Sequence, residues 1–319
     1  KLTLYDALLD SSVPDDAYLA RELFRYFPEQ MATAYEDEIN GHRLRREIIA
    51  TMLANSMINR GGATFLTRLM DQTGATPTEI AQGFVAVRNS FALPALNAEI
   101  DALDTKIDGG LQLELYTEVQ SLLLERVVWF KRNVQFDKGL SAVVDRFRNG
   151  VADLRERLET LLPPEPAERL NTRAAEYEEK GVPAPLARRI AWLIAEQAIP
   201  DIVIVSEETG ADLDTAAGAY YQVAHHFKIG NMHELASGLE VRDYYDGLAL
   251  DRARATLFSA HRDLASAAIR AGSFANWLTE HASAAENRHA AVSEIQDGGL
   301  TVTKFTVAAG LLAEICGSA

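Results

Sequence analysis

Seven apolar residues, Leu140, Val144, Phe147, Val151, Leu154, Leu158 and Leu161, follow one another at steps of four and three without a miss. A helix puts such residues on one side, because its 3.6-residue turn stacks positions three and four apart. The period is close to 3.5, which suits coiled-coil-like packing, and an antiparallel hairpin within the chain is the expected partner in preference to a second copy. The same periodicity recurs elsewhere. Ile48, Ile49, Met52, Leu53 and Met57 share one face of residues 45–59, and Asn59-Arg60-Gly61-Gly62 supplies the stop. Leu115, Val119, Leu122, Leu123 and Phe130 mark another long amphipathic helix. The strand-like run at residues 202–205 lies between helix-favouring neighbours and reads as a buried helical segment. The expected fold class is therefore all-α, a multi-helix bundle or array.

Pro163, Pro164 and Pro166 end the long seam, since proline lacks the amide donor and clashes with the preceding turn. They suggest two helical lobes, 1–162 and 163–319, with a second break at Pro183 and Pro185. An internal repeat crosses this boundary. Thr73-Gly74-Ala75 opens a segment containing Ala81, Phe84, Val87, Phe91, Leu93 and Leu96. Moved 136 positions on, Thr209-Gly210-Ala211 opens one containing Ala217, Tyr220, Val223, Phe227, Ile229 and Met232, in one register without gaps. Arg45-Arg46 ahead of one apolar helix is echoed by Arg188-Arg189 ahead of another. The expectation is a duplicated helical unit, its copies near 42–133 and 183–270.

Composition narrows the partners. With 31 basic against 46 acidic side chains the net charge is −15, a field that disfavours phosphate backbones and anionic lipid surfaces. The short basic run Arg43-Leu44-Arg45-Arg46 reads as a helix face paired with nearby acids. A single cysteine, Cys316, excludes an intramolecular disulfide framework and reads as a small buried hydrophobe. No apolar stretch reaches the length of a membrane span. The first residues carry no signal core and no initiator methionine, so the chain is expected to have been cut from something longer.

The search for chemistry assigns no catalytic, cofactor-binding or metal-ligating residue. Gly61-Gly62, Gly109-Gly110 and Gly298-Gly299 do not extend to a phosphate-binding pattern behind a strand, and each pair reads as a helix C-cap. His225 and His226 are adjacent and diverge by about 100° on a helix. Glu286 and His289 form one Glu-x-x-His pair where a di-iron bundle needs two. These histidines and His233 read as surface or capping residues. No Gly-x-Ser-x-Gly elbow occurs. Glu36, Asp37 and Glu38 read as a solvated face, and Trp129, Trp192 and Trp277 as core. Arg45, Arg46, Arg60 and Arg68 have the chemistry to receive a small carboxylate ligand, but ion pairing with the surplus acids is the expected use.

Residues 42–62, from His42 through Arg45-Arg46-Glu47 and Asn55-Ser56 to Arg60-Gly61-Gly62, form a specific signature. With Thr64-Phe65, Arg68-Leu69, Thr73-Gly74, Arg88, Phe91, Leu96, residues 100–104, Leu124-Glu125-Arg126 and Trp129, the chain resembles the C-terminal region of the large bacterial NAD-dependent glutamate dehydrogenases. Asp243-Tyr244-Tyr245, residues 249–257 and His261-Arg262-Asp263-Leu264 extend the likeness more loosely. Asn97 stands where the family pattern suggests an aromatic, and Tyr245 where it suggests tryptophan.

The resemblance implies an upstream catalytic core that binds NAD and oxidatively deaminates L-glutamate to 2-oxoglutarate and ammonium. It also implies a cytoplasmic, homo-oligomeric parent whose other segments are this chain's partners. The lysine-bearing substrate motif and dinucleotide loop of that core have no match here. The chain alone is thus expected to be inactive and to hold no cofactor, and to serve assembly or regulation. The alternative is a stand-alone scaffold that binds a protein partner in a groove between its repeated units.

Overall fold

The computed structural model describes residues 1–317, without the side chains at 237, 284, 316 and 317. The expectation for Cys316 therefore falls outside the described side chains. Among the described residues there are twenty α-helices and no strand, so the chain is all-α, as its periodicity requires. Its contacts divide it into two compact units, residues 1–149 with 180–186 and residues 150–179 with 187–319. The first division falls inside a helix and not at the prolines.

In chain order the first ten helices are α1 (Leu2–Leu9), α2 (Ala20–Tyr26), α3 (Glu29–Ala34), α4 (Glu36–Asn40), α5 (Arg45–Gly61), α6 (Phe65–Thr73), α7 (Pro77–Ser90), α8 (Leu93–Asp101), α9 (Gly109–Asn133) and α10 (Gly139–Arg155). In the first unit α7 packs along α9, and α5, α6 and α8 close around them. Ile49, Leu53, Phe84, Val87, Leu122 and Phe130 are fully buried there. Trp129, Phe130 and Phe147 form a cluster of edge-to-face rings with centroids 4.8–5.9 Å apart. Glycine is obligatory where α5 ends. A Cβ on Gly61 would lie 2.2 Å from the Phe65 ring, and Gly62 has φ +94°.

The next ten are α11 (Leu158–Leu161), α12 (Pro164–Glu179), α13 (Ala184–Glu196), α14 (Ile199–Thr209), α15 (Leu213–His226), α16 (Ile229–Ser237), α17 (Tyr244–Arg270), α18 (Phe274–Glu280), α19 (Ala282–Asp297) and α20 (Val302–Gly317). In the second unit α15 packs along α17, which also buries a long face against α20. The β-branched run 202–205 lies within α14, with Ile202, Val203 and Val205 buried. The seam from Leu140 to Leu158 is buried at every position, but the helix ends at Arg155 and turns at 156–157, ahead of the prolines, of which Pro164 and Pro166 lie in the first turn of α12. The pair Gly298-Gly299 caps α19 as expected, but Gly109-Gly110 does not cap a helix C-terminus. It opens α9, because Asp108 before it accepts a hydrogen bond from the Leu111 amide and so fixes an N-terminus there.

The segments 136 residues apart coincide in local detail. Both α6 and α14 end on a left-handed glycine, Gly74 at φ 66° and Gly210 at φ 73°. Thr73 donates to the Leu69 carbonyl at 2.6 Å and Thr209 to the Val205 carbonyl at 2.7 Å. The side chains of Thr76 and Asp212 then cap two helices of 14 residues each. Those helices end at Phe91 and Phe227, and left-handed residues follow, Ala92 at φ 54° and Lys228 at φ 51°. Helices of nine residues come next in both.

A left-handed residue that is not glycine carries strain, and Ala92 is exposed, so nothing but that turn requires it. Ala92→Gly is expected to stabilise the protein by about 0.5–1 kcal/mol in urea unfolding, and Ala92→Val to destabilise it by at least as much.

Candidate functional site

A cleft of about 920 Å³ in the first unit is bounded by α2, α5, α7, α8 and α9. Its polarity is unusual for space between helices. Arg25, Arg60 and Arg88 line it with Glu22, Asp101, Asn55, Ser56, Asn59, Asn97, Tyr116 and Gln120, while Met52, Phe84, Leu93 and Leu123 supply apolar wall. Helical spacing explains the first wall: positions 52, 55, 56, 59 and 60 on α5 share a stripe beside the buried face of Ile49, Leu53 and Met57.

At one end Arg88 and Glu22 are both buried and paired. Arg88 also donates to Ser56 Oγ at 3.4 Å and to Asn89 Oδ1 at 3.3 Å, and Arg25 lies 3.5 Å from the same Glu22 carboxylate. At the other end Arg60 donates to Asn97 Oδ1 at 3.2 Å and approaches Asp101 at 3.5 Å, while Tyr116 donates its hydroxyl proton to Asp101. Burial, reinforced by that carboxylate, pushes the Tyr116 hydroxyl up to about 12. Gln120 donates to the Arg60 carbonyl at 3.3 Å. None of the hydrogen bonds among the described residues uses the side chain of Asn55 or Asn59.

The four arginines that the sequence offered for a carboxylate divide. Arg46 pairs with Asp15 and donates to the Leu9 and Ser11 carbonyls at 2.8 Å, so it ties α5 to α1. Arg60 lies in the cleft, paired as above. Arg45 and Arg68 do not line it. Arg25 and Arg88, which do, carry no local signal of a site. Arg88 is recognisable only through its buried partner 66 residues away.

The second unit uses its buried charges in closed pairs. Glu196, fully buried, lies 3.1 Å from Arg155 and 2.9 Å from Arg189, and desolvation raises its carboxyl against the pull of both cations. Arg262 donates to buried Asp201 at 2.6 Å. His261 stacks on Tyr220 at 3.5 Å and bonds the Tyr220 carbonyl, and burial pushes it down to about 3. His226 and His289, read from the sequence as surface or capping residues, meet with ring centroids 5.0 Å apart. Burial first, then His289 and His225, lowers His226. His233 stacks on Phe258 and His225 approaches Glu165 at 3.9 Å. The described residues hold no group of three or more His, Cys, Asp or Glu side chains suited to a metal ion. No helix among them is long and apolar enough to cross a membrane.

Fold and cleft together define an all-α domain carrying one polar, arginine-bearing cleft in its first unit. The chain belongs to the family described as glutamate dehydrogenase, C-terminal, whose model matches residues 1–314. It is similar to the NAD-specific glutamate dehydrogenase of Halomonas elongata, 34% identical over 256 residues, which is 80% of this chain and 16% of that protein. The NAD-specific glutamate dehydrogenase of Pseudomonas aeruginosa is 32% identical over 254 residues, again 80% of this chain and 16% of that protein. That of Mycobacterium tuberculosis is 26% identical over 264 residues, 83% and 16% respectively. The chain thus spans about a sixth of the length of these relatives.

Two measurements follow. Glu22→Ala leaves the Arg88 charge buried without its carboxylate and is expected to cost about 3–5 kcal/mol, whereas Glu22→Leu with Arg88→Met costs far less; urea unfolding of both variants checks this. For His261 the folded value lies below the unfolded one near 6.5, so the unfolded chain takes up a proton that the folded one refuses. The stability from the neutral ring is whole above about pH 6.5 and falls away as the pH drops toward the folded value. His261→Phe should therefore flatten the fall in stability between about pH 6 and 4 by up to about 1.4 kcal/mol per pH unit.

Proposed function

We propose that this chain is the non-catalytic helical C-terminal part of an NAD-dependent glutamate dehydrogenase, serving assembly or regulation of a catalytic core carried elsewhere in the polypeptide. The parent, on this reading, oxidises L-glutamate to 2-oxoglutarate and ammonium with NAD in the cytoplasm as a homo-oligomer. The observation that carries the reading is the alignment itself: it covers 80% of this chain but 16% of relatives named for the activity. The fold supports it. A dinucleotide is ordinarily held where a strand feeds a helix N-terminus, and the described residues supply helices alone. The acidic charge of −15 supports protein partners, the remaining segments of the polypeptide first, over nucleic acid or membrane. The correspondence at 136 residues supports a duplicated helical unit, one copy on each side of Pro163–Pro166, and a duplicated scaffold suits a structural or regulatory role.

Glutamate-dependent NAD reduction, measured side by side with this chain and with its full-length parent, tests the catalytic half of the reading. Activity confined to the parent is expected, and turnover by the chain alone would overturn it. Removing the region from the parent tests the other half. A changed oligomer in sedimentation, or altered kinetics in the oligomer that remains, is expected. An unchanged enzyme would refute the role.

A further inference from the structure

The 136-residue correspondence provides an internal control for the cleft. A segment with the same left-handed turns, and with helices of 14 and nine residues in the same order, folds without a counterpart of Arg88. Where the first segment has Arg88, the second has the partly buried Ala224. Packing of such a helix therefore does not require a buried guanidinium, and a buried charge pair is seldom the more stable choice.

We propose that the cleft of the first unit is a binding site for a small, polar carboxylate anion. Three arginines against two carboxylates leave the lining with net positive charge inside a chain of net charge −15, so the cleft is a local attractor for anions. Arg25, which meets Glu22 only at 3.5 Å and is half exposed, keeps guanidinium donors for a carboxylate. Asn55 and Asn59 lie one turn apart on α5 and present unused amides to the same space. Small-molecule pockets are mostly apolar with a few polar groups. This one has polar and apolar wall in comparable measure, which fits a hydrophilic ligand and not an aromatic cofactor. The site goes beyond the assembly-or-regulation reading, and its test involves no turnover, so either can fail without the other.

Titration calorimetry of this chain with succinate as the probe, alongside inorganic phosphate and sodium chloride at matched ionic strength, tests the assignment. Saturable binding of succinate is expected, with about tenfold or greater weakening in Arg25→Gln and in Asn55→Ala with Asn59→Ala. Arg25 and Asn59 are exposed and Asn55 is half-buried, so the variants should keep the thermal midpoint of the ligand-free protein, and that midpoint separates lost binding from lost folding. No saturable heat, equal binding to the variants, or a response that phosphate or chloride reproduces would overturn the proposal.

Discussion

The packing of a 14-residue helix along a long one is the interaction on which each unit depends. In the first unit α7 has almost no solvent-facing side: Ile80, Ala81, Phe84, Val85, Ala86 and Val87 are at most 1% exposed. Gly83 of α7 faces Val127 of α9, where an added Cβ would stand in ordinary van der Waals contact, 3.4 Å from a methyl group. The second unit repeats the arrangement with Ala217, Tyr220 and Val223 of α15 against α17. In the second unit α17 also packs along α20, and in both units other helices close around such a pair. The helices before it are aligned by left-handed glycine caps, and those after it are turned by a strained residue.

Much of this was legible from spacing alone, because helical faces are local facts. The seam at Leu140–Leu158, the apolar stripe of α5 and the helical state of residues 202–205 needed only nearest turns to be recognised. What spacing could not reveal was pairing across sequence. Arg88 and Glu22, 66 residues apart, look like ordinary surface residues until folding buries both. His226 and His289 have no common pattern in the sequence, yet α15 and α19 bring their rings together. Gly109-Gly110 misleads for a different reason: a glycine pair suits either end of a helix, and the aspartate before it decides which. Of the cleft the sequence offered only Arg60, as a residue with the chemistry to receive a carboxylate. The rest comes from α2, α5, α7, α8 and α9 and exists only once they pack.

The acidic surplus is distributed with purpose. Of the basic side chains, several of the most buried are consumed internally, Arg155 and Arg189 on Glu196, Arg262 on Asp201, Arg88 on Glu22. Such pairs resist exchange with outside partners, since breaking one strands a charge in a low-dielectric interior. The unspent acids lie on exposed faces such as Glu36, Asp37 and Glu38 of α4. The molecule thus presents acidic faces to polyanions while several buried cations are spent on internal pairs, and in the cleft of the first unit Arg25, Asn55 and Asn59 keep donors open.

The two longest helices, α9 with 25 residues and α17 with 27, run without a break. At about 1.5 Å per residue each is a rod of roughly 37–40 Å, near the full width of a small domain. A rod of that kind transmits rotation and translation with little loss, as a lever does. In α9 the residues lining the cleft run from Leu113 through Tyr116, Thr117, Val119 and Gln120 to Leu123, and Trp129 and Phe130 anchor the C-terminal end in the ring cluster. A tilt of a few degrees at the cleft becomes an ångström-scale displacement at the anchor, so the helix is a mechanical link as well as a wall.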